Sequence, residues 1–268
     1  MYNLSSIPEA YEFEYSINKY STMKWLDENW HISIYVSAIY IIAIFSLRSY
    51  MENRPAYDLQ RPLILWNMLL ATFSICGTCR MLPGFLHILK VFGFTFSLCD
   101  NVYGLKLQGS LFWGWLFICS KVIELGDTFF IILRKRKLIF LHWFHHMLTL
   151  IMVWHCATYK VAISHWTGMM NYTVHSFMYT YYTLRAMGIK VPKLIAMCIT
   201  CMQLMQMLTG VALVMWIMAV KYSGYECYFP SSVFKFGISV YLLYAILFGK
   251  YFYSAYLNSN AKYSKKIL

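Results

Sequence analysis

Three imidazoles lie close together in an otherwise apolar stretch of the chain, at His142, His145 and His146. On a helix, residues three and four apart share a face, so all three side chains would point into one space. Polar groups at membrane depth are costly and tend to face an interior cavity rather than lipid. The cluster therefore predicts a functional site.

Polar side chains also occur in the neighbouring apolar stretches. They are Lys121, Glu124 and Asp127; Asn171, His175, Tyr179 and Tyr182; and Gln203 and Gln206. Asn171, His175 and Tyr179 are successively four residues apart, which puts them on one helix face. Taken singly, such groups often serve as hydrogen bonds between helices. Polar faces on four stretches together predict one shared polar cavity.

Metal binding is one chemistry that such a cavity could support. The pattern His142-x-x-His145-His146 resembles one of the histidine boxes of membrane di-iron desaturases and hydroxylases. Those enzymes take their ligands from three boxes, whereas the 8 histidines of this chain include one box only. A single metal ion bound by the box stays open as an alternative.

Covalent catalysis is the other chemistry. A neutral imidazole is a competent nucleophile toward thioesters because its pKa lies close to ambient pH. An acyl-imidazole hydrolyses easily, so such an intermediate needs a narrow, dry tunnel, which a closed helix bundle can provide. Glu124 or Asp127 could orient a ring nitrogen and fix its tautomer.

The composition places the chain among polytopic membrane proteins. It is 60% hydrophobic and 19% aromatic, and only 13% of its residues are charged, which is unusual for a soluble domain. The predicted fold class is an all-α polytopic membrane protein with about seven transmembrane helices in a single domain, 1–268. Apolar segments long enough to cross a bilayer are predicted at roughly 31–49, 62–80, 110–132, 141–158, 169–187, 194–219 and 233–256.

Topology accounts for the net charge of +12 better than nucleic-acid binding does. If the amino terminus is lumenal, 14 of the 23 Lys and Arg residues lie in cytosolic segments and seven lie in lumenal segments. This bias follows the positive-inside rule. The densest basic run, 134–137, would also attract an anionic substrate or anionic lipid headgroups.

The segments outside the predicted spans carry further expectations. Residues 1–30 are expected to form a lumenal segment without a cleavable signal, and 81–109 a lumenal hairpin or re-entrant segment because it contains Pro83 and several glycines. The tail, 257–268, is expected to be cytosolic. Its Lys265 and Lys266 resemble the dilysine retrieval signal of endoplasmic-reticulum membrane proteins.

Two of the eight cysteines, Cys99 and Cys227, both fall in predicted lumenal loops. The lumen of the endoplasmic reticulum is oxidising, so we expect these two thiols to form a disulfide.

Taken together, these groups resemble the ELO family of very-long-chain fatty acid elongases. The motifs occur in the order and spacing of the family, and the match covers essentially the second to the seventh predicted span. They are Lys121-x-x-Glu124-Leu125-x-Asp127-Thr128, Leu133-Arg134-Lys135, His142-x-x-His145-His146, Asn171-x-x-x-His175-x-x-Met178-Tyr179-x-Tyr181-Tyr182 and Thr200-x-x-Gln203-x-x-Gln206. Five ordered motifs are far more specific than the histidine box by itself.

The resemblance implies a fold and a reaction. Six of the seven helices would form two three-helix units around a substrate tunnel closed at its lumenal end. The enzyme would be a 3-ketoacyl-CoA synthase that condenses a long-chain acyl-CoA with malonyl-CoA and releases CO2 and CoA. It would need no metal and no cofactor beyond these two substrates.

The same resemblance assigns roles to residues. His145 would be the nucleophile that accepts the acyl group, and His175 would lie opposite it across the tunnel. The residues that would line the site and position the thioester and the enolate are His142 and His146, which are also expected to be catalytic, and Asn171, Gln203 and Gln206. The further residues expected to bind substrate are Tyr179, Tyr182, Asp127, Glu124 and Lys121. The residues expected to bind the CoA phosphates at the cytosolic mouth are Arg134, Lys135 and Arg136.

The resemblance to one subgroup of the family also implies a substrate preference and a set of partners. Members that act on polyunsaturated chains usually carry Gln five residues before the box, where this chain has Lys137, so saturated, mono-unsaturated or branched chains are expected. The expected partners are 3-ketoacyl-CoA reductase, 3-hydroxyacyl-CoA dehydratase and enoyl-CoA reductase in the endoplasmic reticulum membrane, together with a second copy in a homodimer. The alternatives are a metal-dependent lipid desaturase or hydroxylase and a seven-helix receptor or transporter.

Overall fold

The structure is a computed structural model that describes residues 9–101 and 107–258, and the predicted dilysine signal lies outside these residues. The described chain consists of helices and connecting loops, without strands. The α-helices are α1 (Lys19–Asn29), α2 (Ile32–Met51), α3 (Gln60–Phe92), α4 (Phe94–Cys99), α5 (Gln108–Ile123), α6 (Gly126–Leu133), α7 (Phe140–Thr158), α8 (Ile163–Ala186), α9 (Lys193–Tyr222) and α10 (Ser231–Phe252). A 3-10 helix, Glu12–Ser16, precedes α1, and a π-helical turn, Tyr253–Leu257, follows α10.

Within the described residues, four helices are long and apolar enough to cross a membrane, namely α2, α3, α9 and α10 with its following turn. The other three predicted spans are also helical. Imidazole, amide and hydroxyl groups lower the mean hydropathy of α7 and α8, and the third span is divided between α5 and α6. The chain is thus a membrane-embedded all-α protein, and the count of seven spans stays a prediction.

Six helical segments form a closed ring. Neighbouring helices are in contact in the order α3, α5, α7, α10, α9 and α8, and α8 returns to α3. The ring therefore joins one group of three (α3, α5–α6 and α7) to another (α8, α9 and α10), while α2 packs outside it on α6 and α7. Gly77 allows α3 to approach α8, since a Cβ there would lie 2.5 Å from the Tyr172 ring.

The expected lumenal hairpin at 81–109 is wrong in its first part, because α3 continues through Pro83 to Phe92. Proline removes one backbone donor, but neighbouring helices can sustain a helix through it within a membrane. Met81 and Ile88, on either side of Pro83, pack in one cluster with Met169 and Tyr172 of α8, which provides that support. The helix ends where Gly93 adopts φ 84°, a left-handed conformation that favours glycine.

The break between α5 and α6 falls within the Lys121–Thr128 motif. The amide of Leu125 bonds to the carbonyl of Val122, and the amide of Asp127 bonds to the carbonyl of Glu124. These shorter-range bonds replace the regular α-helical pattern for one turn. The break therefore lies at the point in the chain where the two carboxylates, Glu124 and Asp127, occur.

Two connections hold together the end of the bundle that contains Cys99, Cys227 and the 3-10 helix. Cys99 and Cys227, the pair expected to be bonded, are joined by a disulfide across 128 residues of sequence. The buried carboxylate of Glu14 accepts two hydrogen bonds from Arg80, at 2.8 and 2.7 Å, and a third from the Trp113 indole at 2.9 Å. These bonds hold the amino-terminal segment against α3 and α5.

Candidate active site

The polar residues predicted to converge line one cavity of about 310 Å³ inside the ring. The predicted site residues along its wall are Asp127, His142, His145, His146, Asn171, His175, Tyr179, Tyr182, Gln203 and Gln206. They come from α6, α7, α8 and α9, and α10 adds further wall residues. The shared polar cavity predicted from the sequence is therefore present in the fold.

Behind the cavity wall, Lys121 and Glu124 form a buried ion pair with a distance of 2.7 Å between Nζ and Oε1. Lys121 Nζ also donates to Asn171 Oδ1 at 2.8 Å. Because the Asn171 carbonyl is then used as an acceptor, its amide donates to His175 Nε2, at 3.2 Å. His175 consequently carries its proton on Nδ1, which lies 3.8 Å from Glu124 Oε1.

Asp127 belongs to a second set of hydrogen-bonded side chains, separate from the Lys121–Glu124 set. The Trp66 indole donates to its Oδ1 at 2.6 Å, and the Tyr179 hydroxyl donates to its Oδ2 at 2.8 Å. His146 Nε2 lies 3.9 Å from the same Oδ2. The two carboxylates therefore face different histidines, Glu124 facing His175 and Asp127 facing His146.

His145 has a different environment. Its ring lies 4.8 Å from the Tyr244 ring and 5.6 Å from the Phe248 ring, measured between centroids. The Tyr244 hydroxyl donates to the backbone carbonyl of His145 at 3.1 Å and is 2.9 Å from Thr149 Oγ1. Among the described residues, no carboxylate oxygen lies within 4 Å of its ring nitrogens. The imidazole is therefore positioned by aromatic packing and by its helix.

The remaining polar residues complete the wall. His142 lies 4.5 Å from His146 between ring centroids, and its buried Nε2 has no hydrogen-bond partner among the described residues. Gln203 Nε2 donates to the sulfur of Met178 at 3.1 Å. A strong donor bonded only to a weak sulfur acceptor can be redirected to a ligand carbonyl at little cost.

A second, mostly apolar cavity of about 180 Å³ lies deeper in the ring, on the disulfide-bonded side. The two cavities follow one another along α8, because Gly168 and Tyr172 line this one and Asn171 and His175 line the first. Gly168 faces the open space, since a Cβ there would meet no atom within 4 Å. Polar groups close the far end: Lys160 pairs with Asp27 at 2.8 Å, and its carbonyl accepts from the Asn101 amide.

At the other end of the ring, a groove of about 580 Å³ carries Arg134, Arg136 and Arg185. It shares Asp127, His142 and Tyr182 with the polar cavity, so the two spaces connect. Lys135, which was expected to join the other two cations there, does not line this groove. It turns away and donates to the backbone carbonyl of Glu52 at 3.0 Å.

Some residues at the site were missed by the sequence analysis. Trp66 on α3 bonds to Asp127, and Tyr244 and Phe248 on α10 pack on His145. Aromatic residues are frequent throughout this chain, so their types and spacing distinguish none of these three. Arg185 is one of several basic residues near span ends, and its place at the groove depends on how α8 packs.

The described residues contain no group of three or more His, Cys, Asp or Glu side chains arranged to hold a metal ion. His146 and His175 face separate carboxylates. The metal-dependent alternative therefore has no ligand set in this part of the chain.

Comparison with known proteins gives a consistent result. The sequence model of the ELO family, described as the GNS1/SUR4 family, matches residues 25–264. The chain is 41% identical to very long chain fatty acid elongase 6 of Drosophila melanogaster over 96% of this chain and 82% of the relative. It is 40% identical to the proteins of the same name from Gallus gallus and Homo sapiens, over 96% of each chain.

Proposed function

The chain belongs to the ELO family of fatty acid elongases, and we propose that it condenses a long-chain acyl-CoA with malonyl-CoA through an acyl-histidine intermediate at His145. The enzyme is a very-long-chain 3-oxoacyl-CoA synthase by family. The observation that carries the proposed chemistry is the shared cavity, because His145 and His175 both line it. The groove that carries Arg134, Arg136 and Arg185, called the arginine-lined mouth below, lies on one side of this cavity, and the apolar cavity lies on the other.

His145 acts in the first half-reaction. A ring nitrogen attacks the thioester carbonyl of the acyl-CoA, the carbon–sulfur bond breaks, and the ring proton leaves with the CoA thiol. The aromatic surroundings supplied by Tyr244 and Phe248 favour the neutral imidazole, which is the nucleophilic form. They also limit the access of water to the acyl-imidazole.

His175 and Asn171 act in the second half-reaction. Malonyl-CoA loses CO2, and the resulting enolate attacks the acyl carbon, so that a carbon–carbon bond forms as the bond to His145 breaks. The released imidazole takes up one proton per turnover. A developing enolate oxygen is stabilised by hydrogen-bond donors that are already oriented, and the buried Lys121–Asn171–His175 chain orients such donors.

The spaces on either side suit the two ends of the substrate. Arg134, Arg136 and Arg185 at the mouth are suited to the phosphates of CoA, because guanidinium groups bind phosphate through paired hydrogen bonds. The deeper cavity suits the apolar acyl tail, and we assign it saturated, mono-unsaturated or branched chains. No cofactor beyond the two CoA substrates enters this scheme.

The decisive experiment traps the intermediate. The purified protein is incubated with acyl-CoA in the absence of malonyl-CoA, quenched and digested, and we expect the peptide containing His145 to gain the mass of one acyl group. Addition of malonyl-CoA should discharge it to a 3-ketoacyl-CoA. His145→Ala should lose both the adduct and the incorporation of radiolabel from malonyl-CoA into elongated products across a panel of acyl-CoAs.

His155 provides the matched control, because it is another histidine of α7 that packs against Trp30 and lies outside the polar cavity. His155→Ala should form the adduct as the unchanged protein does. An adduct on a different residue, or elongation by a folded His145→Ala protein, would refute the nucleophile assignment.

The cellular setting of the protein is also a proposal. The positive-inside bias favours a lumenal amino terminus and a cytosolic carboxyl terminus, and the dilysine pattern favours the endoplasmic reticulum. There the 3-ketoacyl-CoA would pass to a reductase, a dehydratase and an enoyl-CoA reductase. The homodimer stays a proposal as well.

A further inference from the structure

A second basic groove, of about 580 Å³, lies outside the ring where α2 ends and the loop from α6 to α7 begins. Four cationic side chains line it: Arg48, Lys135, Arg136 and Lys137. Its walls also contain Phe45, Ile132 and Leu138. The groove thus combines an apolar floor with a strongly positive rim.

Most of this positive charge is uncompensated. Within the described chain, Glu52 is the one carboxylate that lines the groove, and it forms no ion pair with the four cations. Lys135 bonds instead to the Glu52 backbone carbonyl, at 3.0 Å. Unpaired cations around a concave surface attract a multivalent anion such as a phosphate group.

The groove lies at the edge of the apolar belt. Exposed apolar side chains follow one another along α2 at Ile39, Ile42 and Phe45, and Arg48 comes one turn after Phe45. Phe45 packs edge-on against Trp143 at 5.4 Å between ring centroids. An apolar stripe that ends in aromatic rings and then a cation is typical of a membrane–water interface.

We propose that this groove binds the phosphate-bearing headgroup of an anionic membrane lipid. The apolar floor lies beside the lipid-facing side of α2, so the acyl chains of a lipid could continue along that helix while its headgroup contacts the basic rim. Basic pockets between helices at the cytoplasmic surface bind anionic headgroups in this way. The proposal does not depend on the condensation chemistry.

CoA is the other phosphate source that could occupy the groove. It is disfavoured because the groove lies outside the ring and shares only Arg136 with the arginine-lined mouth.

The test is a titration of the purified full-length protein with short-chain phosphatidylserine and, separately, with the matched phosphatidylcholine. We expect saturable binding of phosphatidylserine alone. Arg48→Gln combined with Lys137→Gln should weaken it about 25-fold, since each basic side chain near an anionic headgroup contributes a factor of about five. Arg136 is left unchanged because it lines both grooves.

The matched control also removes two cations from the same end of the bundle. Arg54 stacks on Tyr50 at 3.9 Å, and both Arg54 and Arg61 lie outside the groove. Arg54→Gln combined with Arg61→Gln should bind phosphatidylserine as the unchanged protein does. Equal losses in the two double variants, or no loss in the first, would overturn the proposal.

A competition arm separates lipid from CoA. Because Arg136 lines both grooves, free CoA should weaken phosphatidylserine binding no more than about fivefold, and the groove variant should retain its KM for malonyl-CoA. Complete displacement of the lipid by CoA, or weaker CoA binding in the groove variant, would instead assign the groove to nucleotide phosphates and refute the lipid site.

Discussion

At the scale of single residues, the histidines of the site differ in what surrounds them. His145 packs against aromatic rings, whereas His175 belongs to a buried chain of hydrogen bonds that includes Lys121 and Asn171. Aromatic surroundings favour a neutral nucleophile, and oriented donors favour a developing anion. The two histidines therefore suit the two different half-reactions that we propose.

The first prediction separates those half-reactions. His175→Ala should still form the acyl adduct from acyl-CoA but should convert it with malonyl-CoA about 100- to 1000-fold more slowly, which is the usual effect of losing one donor to a developing oxyanion. The measurement is single-turnover kinetics with adduct and product followed by mass spectrometry. Asn171→Ala should reproduce part of the defect because Asn171 fixes the His175 tautomer.

Equal slowing of adduct formation and adduct discharge in His175→Ala would contradict this division of roles. Circular dichroism and the elution volume of each variant serve as controls for folding.

At the scale of elements, α8 carries both the polar and the apolar parts of the site. Asn171 and His175 face the polar cavity, and Gly168, one turn earlier than Asn171, faces the apolar one. The absence of a side chain at Gly168 leaves open space within the ring. That space is available to the distal part of an acyl chain.

The second prediction concerns chain length. Gly168→Leu should lower turnover of the longest accepted acyl-CoA by about tenfold or more, while shorter acyl-CoAs are affected less. The added side chain would take the space assigned to the end of the acyl chain, and overfilling a cavity that the chain already fills costs about 1–3 kcal/mol. Gly168→Ala should give an intermediate result. Product lengths from radiolabelled malonyl-CoA and a series of acyl-CoAs provide the measurement.

Gly249 on α10 is the matched control, because it lies outside both cavities and a Cβ there also meets no atom within 4 Å. Gly249→Leu should leave the product lengths unchanged. A uniform loss of activity at every chain length in Gly168→Leu would contradict the assignment of the apolar cavity to the acyl tail.

At the scale of the whole molecule, contacts distant in sequence hold the end of the ring opposite the arginine-lined mouth. The disulfide joins the end of α4 to the loop before α10. The Glu14–Arg80 pair holds the amino-terminal segment on the ring. Both connections lie beyond the apolar cavity and away from the histidines.

The third prediction is that Cys99→Ala combined with Cys227→Ala lowers thermal stability. A crosslink across 128 residues restricts the unfolded chain, and natural disulfides typically contribute about 2–4 kcal/mol, or about 5–15 °C in Tm for a chain of this size. Thermal unfolding in detergent should show the shift. A reductant should lower the Tm of the unchanged protein but not that of the double variant, and Cys76→Ser should behave as the unchanged protein.

The fourth prediction is a pH dependence set by Glu14. Burial by itself would raise the pKa of this carboxyl, but hydrogen bonds from Arg80, the Tyr11 amide and Trp113 outweigh burial and lower the pKa below its ordinary value. A lowered folded-state pKa stabilises the fold above the unfolded-state value of about 4.3. That contribution should be lost as pH falls through the lower folded-state value.

Glu14→Gln should therefore lower the Tm at neutral pH and flatten the decline of Tm below about pH 4.3. Arg80→Ala should destabilise the fold more strongly, by about 3–5 kcal/mol, because it leaves a buried carboxylate unpaired. Parallel Tm curves for Glu14→Gln and the unchanged protein across the acid range would exclude this role for Glu14.

The sequence by itself determined the class of protein and most of the polar site. Side chains three or four residues apart share a helix face whatever the packing, so the groups at 142–146, 171–179 and 203–206 were predictable as faces. An apolar composition with few charges determined a membrane bundle. The order of the motifs determined the family.

Only the tertiary structure decided which face meets which, because that depends on how the helices close the ring. It paired Glu124 with His175 and Asp127 with His146, and it brought Tyr244 against His145 from a helix that is distant in sequence. It also carried α3 through Pro83 and turned Lys135 away from its neighbours. Local spacing fixes directions along one helix, whereas contacts between helices depend on the packing of the whole bundle.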